Sequence, residues 1–195
     1  MTRTLPAVFA LLFVIPVSLA AQGVQTRGLE VWGGYGFWGG GDFEDVDGGI
    51  RGGVVGMLDV NPRVGFGAEL ILGRAEERGE EAVVDISEFG LNAVFRYAFG
   101  PRGGTHAFAQ GRAGWSRLSL NSFRLDGLAI GPEIGVEIPL GTRVRLVIAG
   151  GGTWNIYGDA QLDTGSSIGG TGIPDTSASG FQYGARIGIA FGESL

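Results

Sequence analysis

The chain contains no cysteine and no lysine. Without cysteine there are no disulfides, no thiolate metal sites and no thiol nucleophile, an absence that suits a bacterial envelope protein. Without lysine, all 14 basic residues are arginines, and the formal net charge is -6. No basic footprint for nucleic acid is present. Histidine occurs once, at His106. Beyond the first twenty residues, no apolar run approaches the roughly 18 residues of a spanning helix. No long segment repeats its apolar residues at helical spacing. Glycine is abundant, at 39 residues, but has no G-X-Y period, which excludes collagen.

The opening "MTRTLPAVFALLFVIPVSLAAQG" has Arg3, then an apolar stretch from Leu5 to Val17, then small residues. Ser18 and Ala20 suit the positions before a cleavage site, so residues 1–20 are expected to be a signal peptide. Pro6, Pro16 and the short length argue against a membrane helix. Residues 21–195 then form one domain.

That domain repeats one pattern: segments of about ten residues that alternate apolar with small or polar, separated by turn signals. Eight segments are legible, so an all-β fold is expected. "GLEVWGGYGFW" places Leu29, Val31, Tyr35 and Phe37 on one face, and "FQYGARIGIAF" does the same with Phe181, Tyr183, Ile187 and Phe191. Between them come segments led by Ile50, Val64, Phe89, Ala107, Leu128 and Val144. The fifth is read as roughly Thr105 to Ser116, and the fourth as starting near Val84.

The connections alternate in character. Those after segments two, four and six are tight, rich in Pro or Gly, and carry Arg63, Arg102 and Arg143. Those after one, three and seven are longer: "GGGDFEDVDG" with Asp42, Glu44, Asp45 and Asp47, "AEERGEE" with Glu76, Glu77, Glu80 and Glu81, and the glycine-rich "GDAQLDTGSSIGGTGIPDTS". Short turns at one end and longer loops at the other are the signature of an outer-membrane barrel. The expected fold is an eight-stranded antiparallel up-and-down transmembrane β-barrel with both termini at the short-turn, periplasmic end.

The opposite phase carries Glu30, Arg51, Glu69, Glu88, Arg96, Arg112, Glu133, Glu137, Arg145 and Arg186. Five acids balance five arginines. The interior of an eight-stranded barrel is just wide enough for side chains to fill it. Buried unpaired ions are expensive. The expectation is a lumen plugged by ion pairs, with the greasy face turned to lipid.

At this point the chain resembles the small eight-stranded outer-membrane barrels: the transmembrane domain of outer-membrane protein A and the porin-like outer membrane protein β-barrel domains. The resemblance rests on the signal peptide, on the strand–turn–strand grammar of "GPEIGVEIPLGTRVRL", and on the final segment. It implies an assembly signal in the last strand, matched by Gln182, Gly184, Ile187 and Ile189, with Phe191 in phase. Gly192, Glu193, Ser194 and Leu195 extend beyond the aromatic residue at which such chains often stop. The resemblance also implies outer-membrane lipid, lipopolysaccharide and the barrel assembly machinery as partners, and a monomer located in the outer membrane.

Other chemistries find little footing. "GYGFWG" matches G-x-G-x-x-G, but an acidic loop follows where a dinucleotide site needs a helix. "DFEDVDGG" would need an oxygen ligand at Phe43 to be a calcium loop and has no closing Glu, so it reads as a solvated acidic loop. Loose divalent-ion binding is its alternative. His106 lies near the predicted periplasmic end, away from where outer-leaflet hydrolases work, and reads as an interfacial histidine. Trp38, Trp115, Trp154, Tyr35 and Tyr97 read as interfacial girdles, whereas Trp32 falls in the inward phase. No cofactor, metal or enzymatic activity is expected. The function expected is structural or interactive. The alternatives are a narrow channel or small-hydrophobe carrier, and a soluble lipocalin-like binder with the greasy face inside.

Overall fold

A period of two sends alternate side chains to opposite faces, and here it sorts the chain into eight long strands. The computed structural model describes residues 25–43, 46, 48–78, 83–100, 103–120, 123–158, 161–162 and 178–192. The expected signal peptide, Arg102, Glu44, Asp45, Asp47, Glu80, Glu81 and Glu193 to Leu195 lie outside these. The strands are β1 (Gln25–Gly41), β2 (Gly49–Asp59), β3 (Val64–Arg78), β4 (Val83–Phe99), β5 (His106–Leu120), β6 (Phe123–Pro139), β7 (Val144–Tyr157), the two-residue β8 (Gln161–Leu162) and β9 (Ser179–Phe191).

All pairings are antiparallel between neighbours. The sheet closes because β9 pairs with both β7 and β1, from Leu29↔Phe191 to Gly41↔Gly180 on the β1 side. The result is a closed eight-stranded antiparallel barrel of β1–β7 and β9. The small β8 pairs only with Phe123 and Arg124 at the tip of β6. At the short-turn end, the Asn61 side chain accepts the backbone N–H groups of Arg63 (2.8 Å) and Val64 (2.9 Å), which pins the "NPR" reversal. Two rungs of the wall are interrupted. The β6–β7 ladder passes from Ile130↔Trp154 to Glu133↔Gly151, skipping Pro132, which has no N–H to contribute.

The apolar phase faces out. Leu72, Ile130, Ile134 and Ile187 are more than half exposed, at 56–71%. The outward run from Phe89 to Phe99 covers about 33 Å of strand, or about 25 Å once a strand tilt of roughly 40° is allowed for. That is the height of the lipid-facing band of a transmembrane barrel.

Three strand boundaries differ from the sequence reading. β3 continues to Arg78 and β4 begins at Val83, so Glu76 and Glu77 belong to a strand and not to a loop. β5 continues past Ser116 to Leu120, and β6 starts at Phe123, so these two strands form a tall hairpin. The physical reason is common to all three. Above the lipid band the outward positions no longer need to be apolar, and the ladder hydrogen bonds alone carry the strands on. The outward phase there turns to Arg74, Ser87, Arg117 and Ser119, which hides the period from a reading based on hydrophobicity.

Ile187 faces outward at mid-band, on the rung shared with Gly33 and Ile148. Ile187→Arg is expected to destabilise the folded barrel by roughly 2–4 kcal/mol in a bilayer. A urea midpoint unchanged from the parent in reversible bilayer folding would contradict this orientation.

Candidate functional site

The inward phase fills the barrel. Nine of the ten charged residues singled out in the sequence are buried: Glu30, Glu69, Glu88, Arg96, Arg112, Glu133, Glu137, Arg145 and Arg186. Arg51 is the exception, with 13% of its side chain exposed. Each strand delivers its charge by the same alternation that places the neighbouring apolar residue outside.

Eight of the ten join in one alternating chain. Arg145 pairs with Glu137 at 3.3 Å, and Glu137 with Arg96 at 2.9 Å. Arg96 pairs with Glu30 at 2.8 Å, crossing from β4 to β1. Glu30 pairs with Arg186, and Arg186 with Glu133 at 2.6 Å. Glu133 pairs with Arg112, which reaches Glu69 at 3.7 Å. The remaining two, Arg51 and Glu88, pair with each other at 2.6 Å.

Arg96 is the most constrained member. Its Nε donates to Gln110 Oε1 (2.8 Å), its Nη1 to Glu137 and its Nη2 to Glu30, while the guanidinium lies 4.4 Å from the Phe108 ring centroid. Arg186 donates from Nε to both oxygens of Glu133 and lies 5.2 Å from the Trp32 ring centroid. Donor forks of this kind match carboxylates in a way an ammonium cannot, which gives the all-arginine usage a structural use.

Neutral partners that a count of charges overlooks complete the layer. Asn92 Nδ2 donates to Glu69 (3.3 Å), and Gln182 Nε2 donates to Glu88 (3.3 Å). These residues sit in the inward phase, so the alternation itself was the signal that could have found them. Glycine makes the room. A Cβ at Gly73 would come within 3.0 Å of Glu88 Oε2, and one at Gly53 within 2.8 Å of the Trp32 ring.

An apolar layer caps the charges at the loop end. At the loop end Trp38, Phe43, Val46, Ala75, Ile86, Leu118, Leu125 and Tyr157 form one buried cluster. Trp38 therefore lies inside the mouth and not in an interfacial girdle. It is in phase with Trp32, one residue from the outward Phe37. Phe43 folds in from the connection after β1, its ring tilted 4.9 Å from that of Trp38, so Phe43 and Val46 help close the mouth where a solvated acidic loop was expected. Its Asp42 is held by the Ser179 backbone N–H at 2.8 Å. "GYGFWG" lies wholly within β1, with no helix after it.

At the turn end His106 is buried in the lumen, not at the interface. Its Nδ1 is 3.0 Å from the Gly104 carbonyl and its Nε2 is 3.6 Å from Glu137. The inward phase of β5 turns it away from lipid. Among the described residues no group of three His, Asp or Glu could hold a metal ion.

Little space remains inside. A cavity of about 30 Å³ lies among Trp32, Arg51, Arg112, Glu133, Thr153 and Gln182. Two further cavities measure about 10 Å³ each. A single water needs about 10–15 Å³ on this measure, so the first of these holds two or three.

The assembly-signal residues divide between the faces. Gln182 is inward and buried, Gly184 is half-buried in the same phase, and Ile187, Ile189 and Phe191 follow in the outward phase.

No family model and no curated protein matches the chain. Solved structures do. Neisserial surface protein A is similar with a TM-score of 0.59 at 14% identity, covering 86% of this chain and 99% of that one. The outer membrane protein OprG from Pseudomonas aeruginosa is similar with a TM-score of 0.51 at 11% identity, covering 86% of this chain and 96% of that one. At such identities the likeness is one of fold. The chain has the fold of the small outer-membrane β-barrels, and its apolar band is that of a transmembrane protein.

Arg96→Leu leaves Glu30 and Glu137 each short of a partner in a buried site. It is expected to cost on the order of 3–5 kcal/mol in the bilayer folding equilibrium. For the separate pair, the double variant Arg51→Met/Glu88→Leu should cost less than the sum of the two single variants. Strict additivity in that double-mutant cycle would show that the two side chains do not interact.

Proposed function

We propose that this protein is a resident of the bacterial outer membrane, of structural or interaction type, whose lumen is closed by ion pairs and conducts little. The observation that carries the reading is the alternating chain Arg145–Glu137–Arg96–Glu30–Arg186–Glu133–Arg112–Glu69. That chain is charge-balanced, so it offers a passing ion no net counter-charge, and opening a path requires several buried pairs to separate together. The apolar cluster at the loop mouth adds a dry layer in series. Barrel assembly machinery is the expected partner during insertion, reading the last strand through Gln182, Gly184, Ile187 and Ile189. The mature protein acts as a monomer through its rim and loops.

Purified protein in planar bilayers should show little steady conductance. Large, stable channels from pure protein would overturn the closed-lumen reading in favour of a narrow channel. Orientation is testable separately. A tag inserted at Gly79 should be reachable on intact cells and one at Gly103 should not, and the reverse labelling pattern would refute the topology.

A further inference from the structure

The outer surface of the barrel is not uniform at its loop end. Across β1, β9 and β7 it is aromatic, with Tyr35, Phe37, Tyr183, Phe181 and Trp154 in a continuous run of ring contacts at 5.0–6.3 Å. Among the described residues, no arginine faces outward at the loop end of β1, β2, β7 or β9. The half made by β3 to β6 is different. One rung aligns Leu72, Phe89, Arg117 and Asp126. The next outward-facing rung aligns Arg74, Ser87, Ser119 and Arg124. These four alternate with Ala75, Ile86, Leu118 and Leu125 of the inner cluster, which puts them on the outside.

Three arginines and two serines thus stand on a ledge directly above the apolar band, in a chain whose net charge is -6. The ledge begins where Phe89 and Trp115 meet edge to face at 5.7 Å. The Arg117 guanidinium lies 4.7 Å from the Trp115 ring centroid and is bidentate to Asp126, at 2.6 and 3.1 Å. That pair engages two of its five N–H donors. Arg74 and Arg124 also hold interactions within the protein, so the ledge is pre-organised and not a set of loose side chains.

We propose that this half-rim binds the phosphate groups of an outer-leaflet phosphoglycolipid of the lipopolysaccharide type. The inference rests on the membrane placement and orientation proposed above. It deepens that reading by assigning the lipid partner a site. The height is right: a ledge at the edge of the band meets headgroups and not acyl chains. The chemistry is right: arginine forks bind phosphate bidentately, and serine hydroxyls donate to its remaining oxygens. The span is right for a headgroup carrying more than one phosphate, since Arg74 and Arg124 are three strands apart, or about 14 Å. The apolar band below, with Leu72, Phe89 and Leu128 outward, receives the acyl chains of the same molecule.

The test measures binding of purified lipopolysaccharide to the refolded full chain in zwitterionic detergent. Heat-modifiable migration confirms that each variant is folded. The variant Arg74→Gln/Arg117→Gln/Arg124→Gln is expected to lose at least tenfold in affinity. Arg63→Gln/Arg143→Gln, at the opposite end, should match the parent. Asp126→Asn frees Arg117 and should bind as tightly or more tightly, a readout that stands even if the triple variant does not fold. Removing the phosphates from the lipopolysaccharide should abolish binding. The proposal is overturned if the triple variant binds within twofold of the parent, if Asp126→Asn binds more weakly, or if the dephosphorylated glycolipid binds as well. It is also overturned if inorganic phosphate or phosphatidylglycerol vesicles compete as effectively as lipopolysaccharide, which would make the ledge a general anion surface. Conductance of the triple variant should stay that of the parent, so a failed binding test and a failed closed-lumen reading give different results.

Discussion

Hydrocarbon cannot hydrogen-bond a peptide group, so a sheet that crosses a membrane must have no free edge. Everything else in this protein follows from the seam that meets this constraint, the pairing of β9 with β1. Once the seam is made, eight strands enclose a lumen only as wide as side chains. Every inward residue then has to fit among the others. That is why glycine recurs beneath Trp32 and beneath the Arg51–Glu88 pair. Closure also turns the charges into near neighbours, and it is the enclosed geometry that makes them pair.

The lumen is best understood as three layers. A charged layer occupies the middle, with Arg96 and Arg186 bridging opposite walls through Glu30. An aromatic and aliphatic layer built on Trp38, Phe43 and Tyr157 closes the loop mouth. Toward the turn end, smaller apolar residues around Phe108 and Val147 share the lumen with Glu137, Arg145 and His106. Buried ion pairs are weak evidence for net stability, because desolvation offsets much of the Coulomb gain. Their contribution here is to specificity. With the charged residues in the inward phase of every strand, a slip of any strand by one residue would turn its charge toward lipid and its apolar set inward.

The exterior obeys a different rule. Lipid asks only that outward side chains be apolar within the band, and it is indifferent to which apolar residue stands where. At the loop end this freedom is used unevenly, with aromatics on one half and arginines with serines on the other. Folding does not require that asymmetry, because either half would satisfy the barrel.

By itself the sequence determined the eight barrel strands, their antiparallel order and the alternation of an apolar with a polar phase along each, though it passed over Asp59, which is also buried. All of these are consequences of a period of two, which is local and survives being read one strand at a time. Trp38 shows the limit of applying that period loosely, since its phase matched Trp32 yet its aromatic character suggested the interface. What only the tertiary structure decided is which partner each charge takes, since Arg96 reaches Glu30 across three strands and no local spacing encodes that distance. It also decided the fate of Phe43, which leaves a segment rich in acids to fill the mouth, because the mouth exists only after the barrel has closed. The strand extensions through Glu77 and Leu120 belong to the same class. They persist above the membrane on ladder hydrogen bonds between neighbours, and a backbone interaction leaves no mark on the order of side chains.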